Sequence, residues 1–398
     1  MRCSQNLIKA CSFPLSCLAL VSLLLDMAGS GQAQAKRVTR PGTSVSSECA
    51  ISDGGSVWQI GGDGRLFSPS INEAENFYPY AYSPSLLRVS PDGAMVFAGG
   101  EQALTRDSAR KVFIEAYRLS PQGRFRLVNT FAHEPDGDLP YALAFGNGGR
   151  FLYVLTLRGS AAKRPFSVLS SYRVGRGGCV TCLRVPEQRI GVAGPDQLSM
   201  ISDPQGHFVY ITRPQSRTVD VYRVTANGSL KALPPSPLSL SQTPSRLLCP
   251  PGGPFLYVVS RNDSSLTQLR RGEDGTLHMA HFFRFANVNP ERTVDPVLAI
   301  SPNGRFLYVG DDPHSAVQQY AIGSDGALRP LSPPTTAFSP DAISIDLTSR
   351  FVYLAGRGFT NQELIHPYRI SPSGALVRIK GDPTATINPA SLTFACPR

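Results

Sequence analysis

Ser301-Pro302-Asn303-Gly304-Arg305-Phe306-Leu307-Tyr308-Val309 decides the fold, because the chain repeats it. A short apolar strand leads into a Gly-bearing turn, and a second strand opens on Phe-x-Tyr. The same pattern reads Leu87-Arg88-Val89-Ser90-Pro91-Asp92-Gly93-Ala94-Met95-Val96-Phe97 and Leu143-Ala144-Phe145-Gly146-Asn147-Gly148-Gly149-Arg150-Phe151-Leu152-Tyr153. Further copies end in Phe208-Val209-Tyr210, Phe255-Leu256-Tyr257 and Phe351-Val352-Tyr353, so the aligned aromatics recur 45 to 57 residues apart. A second signature follows each copy, a strand ending near Tyr, a turn with Gly, then another strand. Examples are Val219-Asp220-Val221-Tyr222-Arg223-Val224-Thr225-Ala226-Asn227-Gly228-Ser229-Leu230 and Val317 through Leu328. Alternating strands bounded by Gly, Asn and Asp are hairpins, and two hairpins per repeat make a four-stranded unit. Such units in series are the mark of a β-propeller, all-β and closed on itself.

The ends set the number of blades. The second signature occurs seven times, counting Val57-Trp58-Gln59-Ile60-Gly61-Gly62-Asp63-Gly64-Arg65-Leu66, whereas the first is complete six times. The missing inner strand is expected near Pro389-Ala390-Ser391-Leu392-Thr393-Phe394. One blade is therefore split, its inner strand C-terminal and its other three strands from about residue 49 to 68, which removes open sheet edges. Residues 49–398 then form one seven-bladed domain. Composition agrees: Gly 36 and Pro 34 in 398 residues fit a turn-rich chain, and only 17% charged residues exclude a coiled coil or a charge-rich disordered chain.

The first 35 residues read as a secretory signal peptide. Arg2 and Lys9 precede an apolar run from Phe13 to Leu25, and Ala33-Gln34-Ala35 supplies small residues for cleavage. The run is shorter than the ~20 residues a spanning helix needs. Residues 36–48 are expected to be a flexible linker, and the mature protein to be periplasmic or secreted, without a membrane span and monomeric. Its formal charge falls from +10 to +9 once Arg2, Lys9 and Asp26 leave. Of the eight cysteines, Cys49, Cys179, Cys182, Cys249 and Cys396 remain. Export makes disulfides the expected state of suitably placed pairs. A Cys49–Cys396 bridge would pin the seam, the alternative being two free thiols. Cys179-Val180-Thr181-Cys182 is read as a local clip of a hairpin turn, with a redox pair or half a zinc site as the alternatives. Cys249 falls on an inner strand as a buried thiol.

These repeats resemble the lactonase-type seven-bladed propellers, the family of propeller 6-phosphogluconolactonases, over nearly the whole mature chain. Enzymes of that family carry a His-bearing inner strand followed by an Asp-Leu-Gly turn, then a Pro-Arg-His strand followed by a Glu-bearing loop. The first place here reads Gln197-Leu198-Ser199-Met200-Ile201 with Thr212-Arg213-Pro214-Gln215, with neither His nor Asp-Leu-Gly. The second reads Thr243-Pro244-Ser245-Arg246-Leu247-Leu248 with Ser260-Arg261-Asn262-Asp263. Arg246 lies near the family's Arg, Leu replaces its His and Arg261 its Glu. No catalytic set carries over residue by residue.

The histidines supply no metal site: His278-x-x-His281 would point to opposite faces of a strand, and no cofactor is expected. No nucleophile elbow, phosphate loop or carboxylate dyad is present. The loops after the second strands carry Asp53, Glu101, Arg158, Arg213, Arg261, Asp312 and Arg357 in turn, so three consecutive blades present arginine. Arginine suits bidentate recognition of carboxylate or phosphate at a channel mouth, while solvated loop arginines are the plainer account. Arg158, Arg213, Arg246, Arg261 and Arg357 are the candidate ligand-binding residues. The expected role is a binding module for a small anionic ligand or a partner protein, with the aromatic segment Phe77-Tyr78-Pro79-Tyr80-Ala81-Tyr82 available to a protein. The alternatives are a lactone hydrolase with a diverged site and a purely structural envelope module. Nucleic acid is excluded as a partner, because the basic residues lack interleaved aromatics.

Overall fold

The computed structural model describes residues 45–52, 57–67, 86–102, 111–120, 125–132, 139–158, 166–183, 185, 187–192, 198–260, 264–285, 297–311, 315–336, 340–357, 363–381, 384–385 and 392–395. Seven antiparallel sheets follow one another along the chain. Blade I is β4 (Leu86–Val89), β5 (Met95–Gln102), β6 (Lys111–Leu119) and β7 (Phe125–Ala132), and blade II is β8 (Leu139–Gly146), β9 (Phe151–Arg158), β10 (Phe166–Val174) and β11 (Val180–Cys182), with β12 (Gln188–Val192) also on β10. Blade III is β13 (Met200–Ser202), β14 (Phe208–Arg213), β15 (Thr218–Val224) and β16 (Leu230–Ala232), with β17 (Leu238–Ser239) also on β15. Blade IV is β18 (Pro244–Leu248), β19 (Phe255–Ser260), β20 (Ser265–Arg271) and β21 (Leu277–Arg284), and blade V is β22 (Leu298–Ile300), β23 (Phe306–Asp311), β24 (Ala316–Ile322) and β25 (Leu328–Thr336). Blade VI is β26 (Ala342–Ile345), β27 (Phe351–Arg357), β28 (Glu363–Ile370) and β29 (Leu376–Arg378), with β30 (Thr384–Ala385) also on β28. Blade VII is split as expected: β31 (Leu392–Ala395) is innermost, beside β1 (Val45–Ser52), β2 (Val57–Gly61) and β3 (Leu66–Phe67). β31 touches the inner strands of blades VI and I and closes the ring.

The Phe-x-Tyr repeat is the joint between blades. Gly228, Gly275, Gly374 and Gly64, in the outer hairpins of blades III, IV, VI and VII, have φ of +87, +91, +95 and +89°. Each lies flat on the Phe of the preceding blade: a Cβ would come 2.2–2.4 Å from a ring carbon of Phe151, Phe208, Phe306 and Phe351. Two residues on, the buried Tyr donates to that glycine's carbonyl: Tyr153 to Gly228 (3.0 Å), Tyr308 to Gly374 (2.8 Å) and Tyr353 to Gly64 (3.1 Å). In blade IV Gln268 inserts, its Nε2 donating to Tyr257 Oη (3.1 Å) and to Gly326 O (3.0 Å). Arg173, Arg223 and Arg270 stand 5.5, 5.1 and 4.9 Å over the rings of Phe151, Phe208 and Phe255. Much of the chain's arginine is thus spent on packing through cation–π contact.

The turns joining first to second strands form a collar at one end of the ring. Asn147 N donates to Gly206 O (2.8 Å), Gly252 N to Pro302 O (2.7 Å) and Asn303 N to Ser349 Oγ (3.0 Å), each pair bridging neighbouring blades. Blade VII has no such turn, because β31 and β1 are opposite ends of the chain. Its place in the collar is taken by a side chain: Leu347 N donates to Glu48 Oε1 at 2.6 Å. Glu48 belongs to β1, so the strand includes residues 45–48 that the sequence reading assigned to a linker.

Burial, opposed by that backbone bond, pushes the Glu48 carboxyl up to about 7, with Asp346 raising it further and Arg350 lowering it. A carboxyl raised in the fold stabilises it fully below its unfolded value of 4.5 and loses that contribution as pH rises through about 7. Wild type should therefore lose roughly 2–3 kcal/mol between pH 5 and 8.5 that Glu48→Gln does not lose. Thermal unfolding of the two proteins across that range checks it, and parallel pH profiles would remove Glu48 from the seam's energetics.

Candidate functional site

The seven inner strands enclose the axial channel, and their residues define what it can bind. Arg88 on β4 and Arg246 on β18 are the only charged residues on those strands, and there is no histidine, aspartate or glutamate on them. The rest are apolar apart from a few hydroxyls, such as Tyr141, Ser245, Ser344 and Thr393. An apolar enclosure with very few polar groups is the usual make-up of a small-molecule site.

Arg246 is half-buried and its backbone is held from both sides. β18 carries a register shift between Pro244 and Arg246, after which Arg246 pairs with Val259 of β19. Ser245 Oγ donates to Val259 O at 2.9 Å, and Leu247 N donates to Ser199 Oγ of blade III at 3.0 Å. Ser199 N is in turn bonded to Thr212 Oγ1 at 2.8 Å. The inner strands of blades III and IV are thus stitched together at the residue that carries the guanidinium.

Arg158 and Arg213 are engaged elsewhere. Arg158 ends β9 and forms a bidentate pair with Glu187, Nη1 to Oε2 and Nη2 to Oε1 both at 2.8 Å. Ser170 Oγ lies 3.4 Å from the same carboxylate. Arg213 ends β14 and binds buried Asp220 through Nε at 2.6 Å, and Tyr222 Oη donates to that oxygen at 3.1 Å. Glu187 immediately precedes β12 and Asp220 lies on β15, so both guanidiniums turn outward along their own blades, away from the inner strands. Arg357 ends β27 in register with Glu363, and its side chain lies outside the described residues, as does the whole of Arg261. The loop residues Asp53 and Asp312, the side chain of Glu101 and the segment Phe77–Tyr82 fall outside them too. Of the four candidate arginines whose backbone is described, Arg246 alone stands on an inner strand.

These pairings carry a prediction. Arg213→Ala leaves the Asp220 carboxylate buried without its cation and should cost about 1–3 kcal/mol of stability. Ligand affinity in the channel should change by less than about threefold, since the pair points away from it. Chemical denaturation with parallel ligand titration separates the two effects.

The cysteines are placed as follows. Cys49 is buried and pairs in register with Ala395, which puts Cys396, outside the described residues, one position along. Cys179 closes a turn by accepting from Gly175 N at 2.7 Å, and Cys182 ends β11 opposite Tyr172. Cys249 follows β18 rather than lying on it and is part-buried, and desolvation pushes its thiol up to about 11. Among the described residues no three His, Cys, Asp or Glu side chains group as a metal site, and no helix is long and apolar enough to cross a membrane.

Sequence reasoning missed Arg88, although its signal was available. Opposite the repeat aromatics Phe97, Tyr153, Tyr210, Tyr257, Tyr308 and Tyr353 stand Arg88, Ala144, Ile201, Leu248, Ala299 and Ser344. Aligning the blades therefore shows one cation on a rung that is otherwise apolar or a small hydroxyl.

Comparison with known proteins agrees with this architecture. The family described as lactonase, seven-bladed β-propeller, matches residues 193–342. A 6-phosphogluconolactonase of Pectobacterium carotovorum is 25% identical over 317 residues, covering 78% of this chain and 86% of that protein. A 6-phosphogluconolactonase of Serratia proteamaculans is 22% identical over 308 residues, covering 76% of this chain and 84% of that one. Among solved structures, a periplasmic gluconolactonase of Pseudomonas aeruginosa superposes with a TM-score of 0.67 at 18% identity, covering 87% of this chain and 99% of the other. The chain is a seven-bladed β-propeller, similar over residues 193–342 to the lactonase family and over most of its length to 6-phosphogluconolactonases.

Proposed function

We propose that the protein hydrolyses a sugar-acid lactone in the axial channel, with Arg246 holding the lactone carbonyl. The observation that carries this reading is the position of Arg246, one of two charges on the inner strands and a residue that lies near the family's Arg. The names of the relatives, 6-phosphogluconolactonase and gluconolactonase, support the reaction class. In the reaction water adds to the carbonyl carbon, the ring C–O bond breaks, and the ring oxygen leaves with a proton as a hydroxyl. Negative charge gathers first on the carbonyl oxygen and finally on the product carboxylate. A fixed guanidinium serves both, and the surrounding apolar wall strengthens its pull. The inner strands supply no histidine or carboxylate base, in keeping with the missing His of the family pattern. The outward pairing of Arg158 and Arg213 disfavours a loop-arginine binding face.

Export of the mature chain is part of this proposal. The charged start, short apolar run and small-residue end of residues 1–35 support it, and a structural relative is described as periplasmic. In that setting the substrate is an unphosphorylated lactone, and disulfides are expected at Cys179–Cys182, across one turn, and at Cys49–Cys396, across the seam. Non-reducing peptide mapping of the exported protein should recover both bridges, and free thiols at all four positions would reject them. For the activity, a pH-stat assay on gluconolactone is the test. Hydrolysis well above the spontaneous rate is expected, and a rate equal to it would overturn the hydrolase reading.

A further inference from the structure

Exposed arginines gather at one end of the ring. The collar turns lie there, and so do the outer hairpins, whose glycines seat on the Phe that follows a collar turn. At that level Arg173, Arg223, Arg270, Arg305 and Arg350 lie 4.9 to 5.5 Å over the rings of Phe151, Phe208, Phe255, Phe306 and Phe351. Blades II to VI thus each stack a guanidinium on the same ring of the repeat. The first three arginines come from third strands, paired in register with the Phe. Blade V has Ala321 in that position, and there the residue before the Phe supplies the cation. All five are exposed, and none makes an ion pair among the described residues.

The rest of this end has the same character. Arg118, Arg150 and Arg369 are exposed at the same level, and Arg126, Lys231, Arg329 and Arg378 stand beside it on the outer strands. The carboxylates there serve the turns. Asp63, Asp92, Asp274 and Asp325 each accept from the backbone N–H two residues on, at 3.0 to 3.1 Å. Glu273 is exposed, whereas Asp203 and Asp346 are buried. Apolar side chains are exposed at this end too. Leu347 is about half exposed in the collar turn of blade VI, three residues before Arg350, and Val377 is equally exposed opposite Arg369. Leu127 and Met279, on the outer strands of blades I and IV, lie one rung further in.

A guanidinium held on an aromatic ring keeps its N–H edge for a ligand and loses little freedom on binding. Phosphate is a group that edge fits. The five sites are spread at one level over more than half of a rigid ring, which suits a broad anionic surface rather than a single bound chain. The Phe rings are buried beneath the arginines, so none is left to stack on a nucleic-acid base. Cations mixed with exposed leucine, valine and methionine make up a surface that lies on an anionic bilayer.

We propose that the collar end of the ring docks on a bilayer surface rich in anionic phospholipid, the stacked arginines meeting lipid phosphates and Leu347 the apolar boundary. The chain then lies on the membrane without crossing it. The links that enter the inner strands are at the opposite end and stay in solvent. Nothing in this proposal depends on the lactone reading.

The test is co-sedimentation of the purified protein with phosphatidylcholine vesicles, with and without one quarter phosphatidylglycerol, at low and high salt. Wild type should bind the anionic vesicles tenfold or more tighter than the neutral ones, and high salt should weaken that binding. The double variant Arg305→Gln, Arg350→Gln should lose about fivefold in affinity for each charge removed. Arg305→Lys with Arg350→Lys should keep most of the binding. If the glutamine pair does not fold, Arg150→Gln with Arg369→Gln takes its place, with unfolding temperature as the control. Leu347→Gln should weaken binding about threefold. Arg189→Gln removes an exposed arginine stacked 4.1 Å over Phe166 near the opposite end, and should change nothing. No preference for anionic vesicles, or the same loss from Arg189→Gln as from the collar-end pair, would overturn the proposal. Binding of soluble polyglutamate without partition onto either vesicle would also overturn it, and would give the face to an acidic protein.

Discussion

Arg246→Met is expected to lower kcat/KM for gluconolactone by roughly 10²–10³-fold, the loss typical of removing one oxyanion donor from an enclosed site. Methionine keeps most of the stem volume, so the effect isolates the guanidinium. A donor that acts on the developing oxyanion lowers kcat, and one that binds only the ground state raises KM. Arg246 should do mainly the former, because the carbonyl oxygen gains charge during the addition of water. Its placement depends on Ser199, whose Oγ accepts from Leu247 N at 3.0 Å. Ser199→Ala should therefore act through Arg246, lowering activity by a smaller factor with little change in unfolding temperature. Steady-state kinetics on the three proteins decides the matter. Unchanged kcat/KM in Arg246→Met would remove the residue from the chemistry.

The second large effect is on stability. Gly374→Ala should destabilise the ring by about 2–4 kcal/mol, the sum of a left-handed backbone cost and an overpacking cost. The residue has φ +95°, and an added Cβ would stand 2.3 Å from Cε1 of Phe306. The ring cannot retreat easily, since Arg305 covers it at 5.4 Å. Displacing Gly374 also strains the 2.8 Å bond from Tyr308 to its carbonyl. Tyr308→Phe, which removes that bond but keeps the ring, should cost about 1 kcal/mol. Urea denaturation ranks the two, and a larger loss for Tyr308→Phe would show that the tyrosine bond, not the glycine seat, holds the blades.

The same joint explains why the fold was legible. Phe-x-Tyr recurs because Phe151, Phe208, Phe306 and Phe351 each seat a glycine of the next blade and Tyr153, Tyr308 and Tyr353 reach that glycine's carbonyl, so both signatures answer largely to one contact. The split blade was readable because β31 lacks a covalent turn to β1, leaving one first signature incomplete. The short outer strands β12, β17 and β30 were not anticipated. They arise where the chain runs back along the third strand of its blade before crossing to the next, which leaves no repeat in the sequence. Residues 45–48, expected in the linker, belong to β1, and Glu48 there stands in for the collar's absent turn.

The site was less legible. Arg158 and Arg213 sit where a channel mouth was expected, yet Glu187 and Asp220 claim them. Those acids are 29 and 7 residues away in sequence, and strand register brings each pair together. Arg246 was found because its Pro-Ser-Arg context resembles a family motif. Arg88 has no motif, and its meaning comes from the rung it shares with five uncharged residues in the other blades.

The most direct measurement is a crystal structure of the protein with D-gluconate, the open acid of gluconolactone. The account predicts the acid inside the ring of inner strands, with its carboxylate within hydrogen-bond distance of the Arg246 guanidinium. Gluconate bound instead at Arg158 or Arg213, with the channel unoccupied, would contradict it.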